Sequence, residues 1–176
     1  MSFDLPSRGS VLVLGGARSG KSAFGEKLVY ESGCAPYYIA TAQVYDDEMA
    51  RRVSDHKLRR DHRWKTIEEP LALADVVQSE TRADRAILVD CLTLWVTNLM
   101  VADADIEQSF AALAGALDTV SGPVVFVSNE VGLGIVPDNA MARAFRDHAG
   151  RLNQQIALAS KSVYFIAAGL PMTLKG

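Results

Sequence analysis

The stretch VLVLGGARSGKSAFGEKL, residues 11–28, constrains the fold more than any other part of the chain. An apolar run ends on a glycine pair. Gly15, Gly20, Lys21 and Ser22 then fall at the spacing G-x-x-x-x-G-K-[ST]. Glycines let such a loop curl until its N–H groups point inward at phosphate oxygens. A helix opening near Lys21 adds the positive end of its dipole. On this reading Gly15, Gly16, Ala17, Arg18, Ser19, Gly20, Lys21 and Ser22 cradle a nucleotide phosphate tail. Lys21 reaches the terminal phosphates and the Ser22 hydroxyl ligates Mg²⁺. The plainer alternative is a glycine turn joining strand to helix. Arg18 is read either as a contact to phosphate or substrate, or as a solvated loop charge.

The rest of the chain has the rhythm such a loop requires. Apolar runs at 11–15, 37–41, 86–90, 124–128 and 163–168 have the continuous Val/Ile/Leu/aromatic character of strands buried on both faces. Helical segments lie between them. Ser22–Ser32 is closed by Gly33. DDEMARRVSDHKLRR opens on three acids, which suit a helix N-terminus. EEPLALADVVQSE has Pro70 near its start. LTLWVTNLM, IEQSFAALAGALDTV and NAMARAFRDHAGRLNQQIALAS complete the set. Strands alternating with helices predict an α/β fold with a mostly parallel sheet. With 176 residues and no linker or repeat, one domain spanning residues 1–176 is expected, with residues 1–9 as a loose tail.

Composition matters here for what it excludes. The formal net charge of −3 argues against a globally basic nucleic-acid binder. No apolar run approaches the ~18 residues that span a bilayer. The start lacks an apolar signal core. Cys34 and Cys91 have no metal-like spacing and read as reduced thiols of a cytosolic protein.

Two further features bear on chemistry. The run AILVD ends in Asp90, an acid at the end of an apolar strand. It either holds Mg²⁺ beside the phosphate loop or caps the following helix. Residues 51–65 then carry Arg51, Arg52, Lys57, Arg59, Arg60, Arg63 and Lys65, with His56 and His62, two of the three histidines of the chain. Such a run is commonly a solvated helix face. Yet Met49, Val53, His56 and Arg60 recur at helical spacing, so His56 continues an apolar stripe. Beside a triphosphate, His56 could serve as a general base or attack phosphorus itself; packing or surface duty is the bland alternative.

Five blocks together carry a resemblance: GGARSGKS, YIATAQVYDDEMARRVSDHKLRR, WKTIEEP, VDCLTLWVTNLM and VSNEVGLGIVPDNAMARAFRDHAGRLNQQIA. In order and spacing they resemble the bifunctional adenosylcobinamide kinase/adenosylcobinamide-phosphate guanylyltransferases of cobalamin biosynthesis, from about Val11 to the C-terminus. The resemblance implies a three-layer, RecA-like P-loop NTPase fold, a homotrimer and a cytoplasmic enzyme. It implies two reactions. A nucleoside triphosphate, ATP or GTP, phosphorylates adenosylcobinamide, and GTP then donates GMP to adenosylcobinamide phosphate through a GMP-histidine intermediate. It places the nucleophile at His56, before Lys57, where some members carry two adjacent histidines and this chain has Asp55 and His56. By the same carry-over, nucleotide contacts fall on Gly15–Ser22, on Thr41, Ala42 and Gln43, on Leu58, Arg59, Arg60 and Asp61, and on Glu68 and Asp90. Ser22 and Asp90 are the metal positions. A plain small-molecule kinase and a nucleotide-dependent switch are the competing readings.

One motif is left open. SNEVGLGIVPDN, 128–139, follows a strand, so Ser128, Asn129 and Glu130 belong at the C-terminal edge of the sheet. The loop faces either the corrinoid or a subunit interface, or it is a glycine-rich connection. Arg143, Arg146 and Asp147 after it divide among substrate, interface and solvent in no way the sequence decides.

Overall fold

The computed structural model describes residues 3–43 and 60–176. Its elements, in chain order, are β1 (Gly9–Gly15), α1 (Lys21–Glu31), β2 (Ala35–Ala40), β3 (Lys65–Glu68), α2 (Leu73–Glu80), β4 (Arg85–Asp90), α3 (Leu92–Val101), α4 (Ile106–Leu117), β5 (Pro123–Asn129), α5 (Ala140–Ala159), β6 (Ser162–Ala167) and β7 (Leu170–Lys175). The expected helix over 46–60 lies, but for Arg60, outside the described residues.

Seven strands form one sheet in the order β3-β2-β4-β5-β1-β6-β7. Every pairing is parallel except β6 with β7, which is antiparallel. The five expected strands are all present, and their apolar runs have the predicted cause. In β1, Leu12 and Leu14 enter one core, while Val11 and Val13 enter the other. In β4, Ile87 and Val89 face the first core and Ala86 and Leu88 the second. A strand with helices on both sides has no polar face to alternate. Helix α1 covers one side through Leu28 and Val29. Helices α2, α3, α4 and α5 cover the other through Leu73, Trp95, Phe110 and Leu152 among others. Trp95 is a core residue, as its sequence setting predicts. It is 1% exposed, and its indole N–H donates to the Leu71 carbonyl at 2.8 Å.

The helix boundaries follow local chemistry. Asp105 caps α4 by accepting from the Gln108 N–H, and Asn139 caps α5 by accepting from Met141 and Ala142. Gly33, expected to close α1, takes φ 73° just past its end. Helix α2 starts at Leu73, three residues after Pro70. Between them, one Glu69 carboxylate oxygen accepts from the Leu71 and Ala72 N–H groups.

The N-terminal stretch is more engaged than the loose tail expected for residues 1–9. Phe3 makes edge-to-face contacts with Phe24 and Tyr164, whose rings also meet each other. Gly9 and Ser10 already belong to β1.

Candidate active site

The loop between β1 and α1 is shaped by two glycines. A Cβ on Gly15 would lie 2.5 Å from Ser19 Oγ and 2.7 Å from the Ile166 carbonyl, so no larger residue fits there. Gly20 has φ 99°, a conformation that side chains rarely adopt. The turn between β6 and β7 braces the loop from outside, where the Gly169 N–H donates to the Ser19 carbonyl at 2.8 Å. Unlike α4 and α5, α1 has no side-chain cap. No capping side chain therefore competes for its first amides, as an anion-binding helix end requires.

Lys21 folds back over this loop, and its ammonium donates to the Gly16 carbonyl at 2.9 Å. Its residue is 8% exposed. Burial lowers its pKa, while the negative charge of Asp90 pulls the other way. The buried Ser19 hydroxyl makes no hydrogen bond within the described protein. A polar atom sealed against a cationic loop is costly unless a ligand answers it.

The other strand ends converge on the same edge, because parallel strands all finish there. Gly15 stands beside Asn129, and Ala40 beside both Asp90 and Glu68. Strand β5 runs between β1 and β4, so Asn129 lies between the phosphate loop and Asp90. Thr41 is fully buried. Its hydroxyl donates to the Cys91 carbonyl at 2.8 Å and accepts from the Cys91 N–H at 2.9 Å. These two bonds lock the end of β2 to the residue after Asp90. Ala42 and Gln43 follow at this edge, immediately before residues 44–59. Glu68 stands at the exposed end of edge strand β3. The sequence-predicted residues Gly15–Ser22, Thr41–Gln43, Glu68 and Asp90 thus share one rim of the sheet. His56, Leu58 and Arg59 lie outside the described residues.

Arg60 and Asp61 sit differently. The Arg60 guanidinium stacks on the Tyr38 ring, 3.4 Å from its centroid. The Tyr38 pKa is pushed above its ordinary value, by burial first and then by the charge of Asp90, with Arg60 opposing. Asp61 instead turns to its own neighbour, accepting from the Arg63 backbone N–H at 3.0 Å and from its guanidinium at 2.7 Å. That hydrogen bonding holds its carboxyl at about 2.

Sequence reasoning missed a layer behind this rim. Thr93 Oγ1 accepts from the Asn129 side-chain amide at 2.7 Å and lies 3.1 Å from Cys91 Sγ. The Asn98 amide donates to the carbonyls of Thr41 and Pro70, at 2.7 and 3.0 Å. Trp64 donates from its indole to Tyr30 at 2.6 Å and packs edge-on to both Tyr30 and Tyr38. One signal was available: Thr93 and Asn98 are polar interruptions in the apolar run LTLWVTNLM. Burial pushes the Cys91 thiol up to about 11, which keeps it protonated and unreactive.

A strand-loop-helix phosphate grip on such a sheet fits many enzymes; the whole sequence narrows the choice. The family described as cobinamide kinase / cobinamide phosphate guanyltransferase matches residues 11–174. The chain belongs to this family. Among its relatives, the bifunctional adenosylcobalamin biosynthesis protein CobP of Pseudomonas aeruginosa is 52% identical over 94% of this chain and 96% of that one. The corresponding CobU protein of Salmonella typhimurium is 43% identical over 94% and 99%. Solved structures share the fold at much lower identity. The flagellar accessory protein FlaH from Methanocaldococcus jannaschii has a TM-score of 0.53 and 15% identity, covering 95% of this chain and 78% of that one. A solved ATPase domain has a TM-score of 0.52 and 14% identity, covering 93% and 75%. The expected RecA-like P-loop fold is therefore the observed one. As a member of the cobinamide kinase / cobinamide phosphate guanyltransferase family, this enzyme uses nucleotides and cobinamide substrates for phosphoryl and guanylyl transfer in cobalamin biosynthesis.

Proposed function

We propose that one nucleotide grip serves both reactions, with Gly15–Ser22 holding the phosphate tail and His56 acting on the α-phosphorus. In the kinase step the aminopropanol hydroxyl of adenosylcobinamide attacks the γ-phosphorus in line, and the nucleoside diphosphate leaves. Lys21 and the loop amides offset the charge that develops there. In the guanylyl step an imidazole nitrogen of His56 attacks the α-phosphorus of GTP. The bond to the bridging oxygen breaks, and pyrophosphate leaves toward Lys21. A phosphate oxygen of adenosylcobinamide phosphate then attacks the same phosphorus. The P–N bond breaks, adenosylcobinamide-GDP departs, and His56 is regenerated. In this reading the basic segment offsets the charge of that chemistry, and Arg60, stacked on Tyr38, stands at its described end.

Thr41, Ala42, Gln43, Leu58, Arg59, Arg60, Asp61, Glu68 and Asp90 complete the nucleotide site in this reading. The residues also suit Mg²⁺. Ser22 and Asp90 offer hard oxygen donors, and Mg²⁺ commonly takes one or two protein ligands with the rest from phosphate and water. Among the described residues no group of three acidic, His or Cys side chains forms a dedicated cage. Bound there, Mg²⁺ would neutralise phosphate charge. Both thiols are free, and no described helix is long and apolar enough to cross a membrane. These facts are compatible with a cytoplasmic, single-domain protein over residues 1–176, and we propose a homotrimer.

The observation that carries the proposal is the buried Lys21 ammonium at an uncapped helix end, on the rim that also holds Asp90 and Thr41. The test uses GTP labelled at the α-phosphate. Acid-labile, base-stable label is expected on wild type and absent from His56→Ala, which keeps phosphorylation of adenosylcobinamide. Label on His56→Ala would move the nucleophile elsewhere.

A further inference from the structure

Residues 131–139 leave β5 beside the phosphate loop and display large apolar side chains to solvent. Leu133 is 82% exposed, Ile135 97% and Val136 56%. Isolated exposed apolar residues are ordinary, but three within four positions on an active-site rim form a patch. The loop is tied at both ends. At its start the Glu130 N–H donates to the Gly15 carbonyl at 3.0 Å, and the Gly132 N–H donates to Glu130 Oε1 at 2.6 Å. At its far end the Arg143 guanidinium donates to the carbonyls of Pro137 and Asp138, at 2.8 and 2.7 Å. The frame therefore fixes the loop ends while the apolar tips stay outside the core.

A groove of about 380 Å³ lies behind the loop, lined by Gly132, Arg146, Asp147, Gly150, Arg151 and Gln154. Its lining mixes apolar surface with both donors and acceptors. Arg151 is already engaged by Glu107 and His148. Arg146 reaches Asp147 only at 4.0 Å, and Gln154 adds an amide.

We propose that this loop and groove seat the corrinoid substrate, with Leu133, Ile135 and Val136 against the macrocycle and Arg146, Asp147 and Gln154 reading its peripheral carboxamides. The inference rests on the functional reading above and supplies its acceptor site. A corrinoid is a broad, methyl-studded ring bordered by amides, each with a donor and an acceptor. That chemistry asks for an apolar platform beside polar groups of both kinds, which is the pairing present here. Position agrees as well. The hydrogen bond from the Glu130 N–H to the Gly15 carbonyl ties the start of the loop to the end of β1, where the phosphate loop begins, so a corrinoid seated there would lie on the nucleotide side of the sheet. The other occupant of an apolar loop, a second copy of the chain, would leave the carboxamide-reading groups without a task.

The experiment compares wild type with Leu133→Asp/Ile135→Asp and with Arg146→Ala/Asp147→Asn. Equilibrium dialysis of adenosylcobinamide, followed by corrinoid absorbance, is run beside GTP affinity, labelling from α-labelled GTP, and sedimentation. Corrinoid Kd and KM are expected to rise at least tenfold in both variants. GTP affinity, labelling and assembly state should stay at wild-type values. Unchanged corrinoid Kd in either variant overturns the proposal, as does a loss that tracks a change in assembly, which would make the loop an interface between copies. Failure of the nucleotide reading has a separate signature: wild type that binds adenosylcobinamide yet takes no label from GTP.

Discussion

Lys21 donates to the Gly16 carbonyl while burial holds its pKa below the ordinary 10.5. A bound triphosphate replaces the carbonyl by an anion and raises that pKa. Between the two values, binding takes up a proton. GTP affinity should be greatest below the pKa of the free protein and fall as pH rises through it. Calorimetry over a pH series below the ordinary lysine value of 10.5, in buffers of different ionisation enthalpy, should show the uptake, and Lys21→Met should remove it. The same substitution should slow both transfers by about 10²–10³, the size expected for a lost electrostatic donor at phosphorus. The sign for folding is the reverse of an ion pair. A lysine whose pKa is depressed in the folded state costs stability while protonated, and the cost eases as pH climbs from the folded toward the unfolded value.

At the scale of elements, the rim is held by bonds between strand ends and helix α3. Asn98 is 3% exposed and donates to Thr41 and Pro70, which ties α3 to the end of β2 and to the approach of α2. Asn98→Ala strands the buried Thr41 carbonyl and the half-buried Pro70 carbonyl. It should cost about 2 kcal/mol and lower Tm by about 4–8 °C. A thermal melt followed by circular dichroism checks the first effect. Titration with GTP checks the second, because Thr41 and its neighbours belong to the proposed site and a loosened β2 end should weaken binding. A melt unchanged within about 1 °C would show that the helix is anchored without Asn98.

For the whole molecule, the loop, strand ends and metal donors are distant in sequence and meet only in the folded chain. Nucleotide should therefore stabilise the fold by mass action, by about 2.7 kcal/mol at a hundredfold excess over Kd. Scanning calorimetry with GTP and Mg²⁺ should show this rise, and EDTA should cut it back. Asp90→Asn should shift the Mg²⁺ titration to higher concentration; an identical titration would remove Asp90 from the metal site.

Most of the architecture was legible along the chain, and the exceptions share one cause. The five core strands announce themselves because both faces are buried, which makes them continuously apolar. Strands β3 and β7 lie at the two edges of the sheet. In β3, Lys65, Thr66 and Glu68 are exposed, and β7 is exposed at five of six positions. An edge strand has half the burial, so its composition carries half the signal. The phosphate loop was legible because its chemistry needs fixed residue types at fixed spacing. The supporting layer of Thr93, Asn98 and Trp64 was not, since any polar residue of suitable reach can bridge two chain ends.

By itself, the sequence determined the phosphate-gripping loop, the alternation that makes a parallel sheet, and the family. Each depends on local spacing or on the order of blocks along one chain. Tertiary structure alone decided that β5 runs between β1 and β4, that Thr41 is bolted to Cys91, and that Leu133 and Ile135 stand in solvent on a loop whose start, Glu130, is bonded to Gly15. Those facts depend on which distant segments come to share a surface. That is settled by the burial of two cores on opposite faces of one sheet, and no short window of residues encodes it.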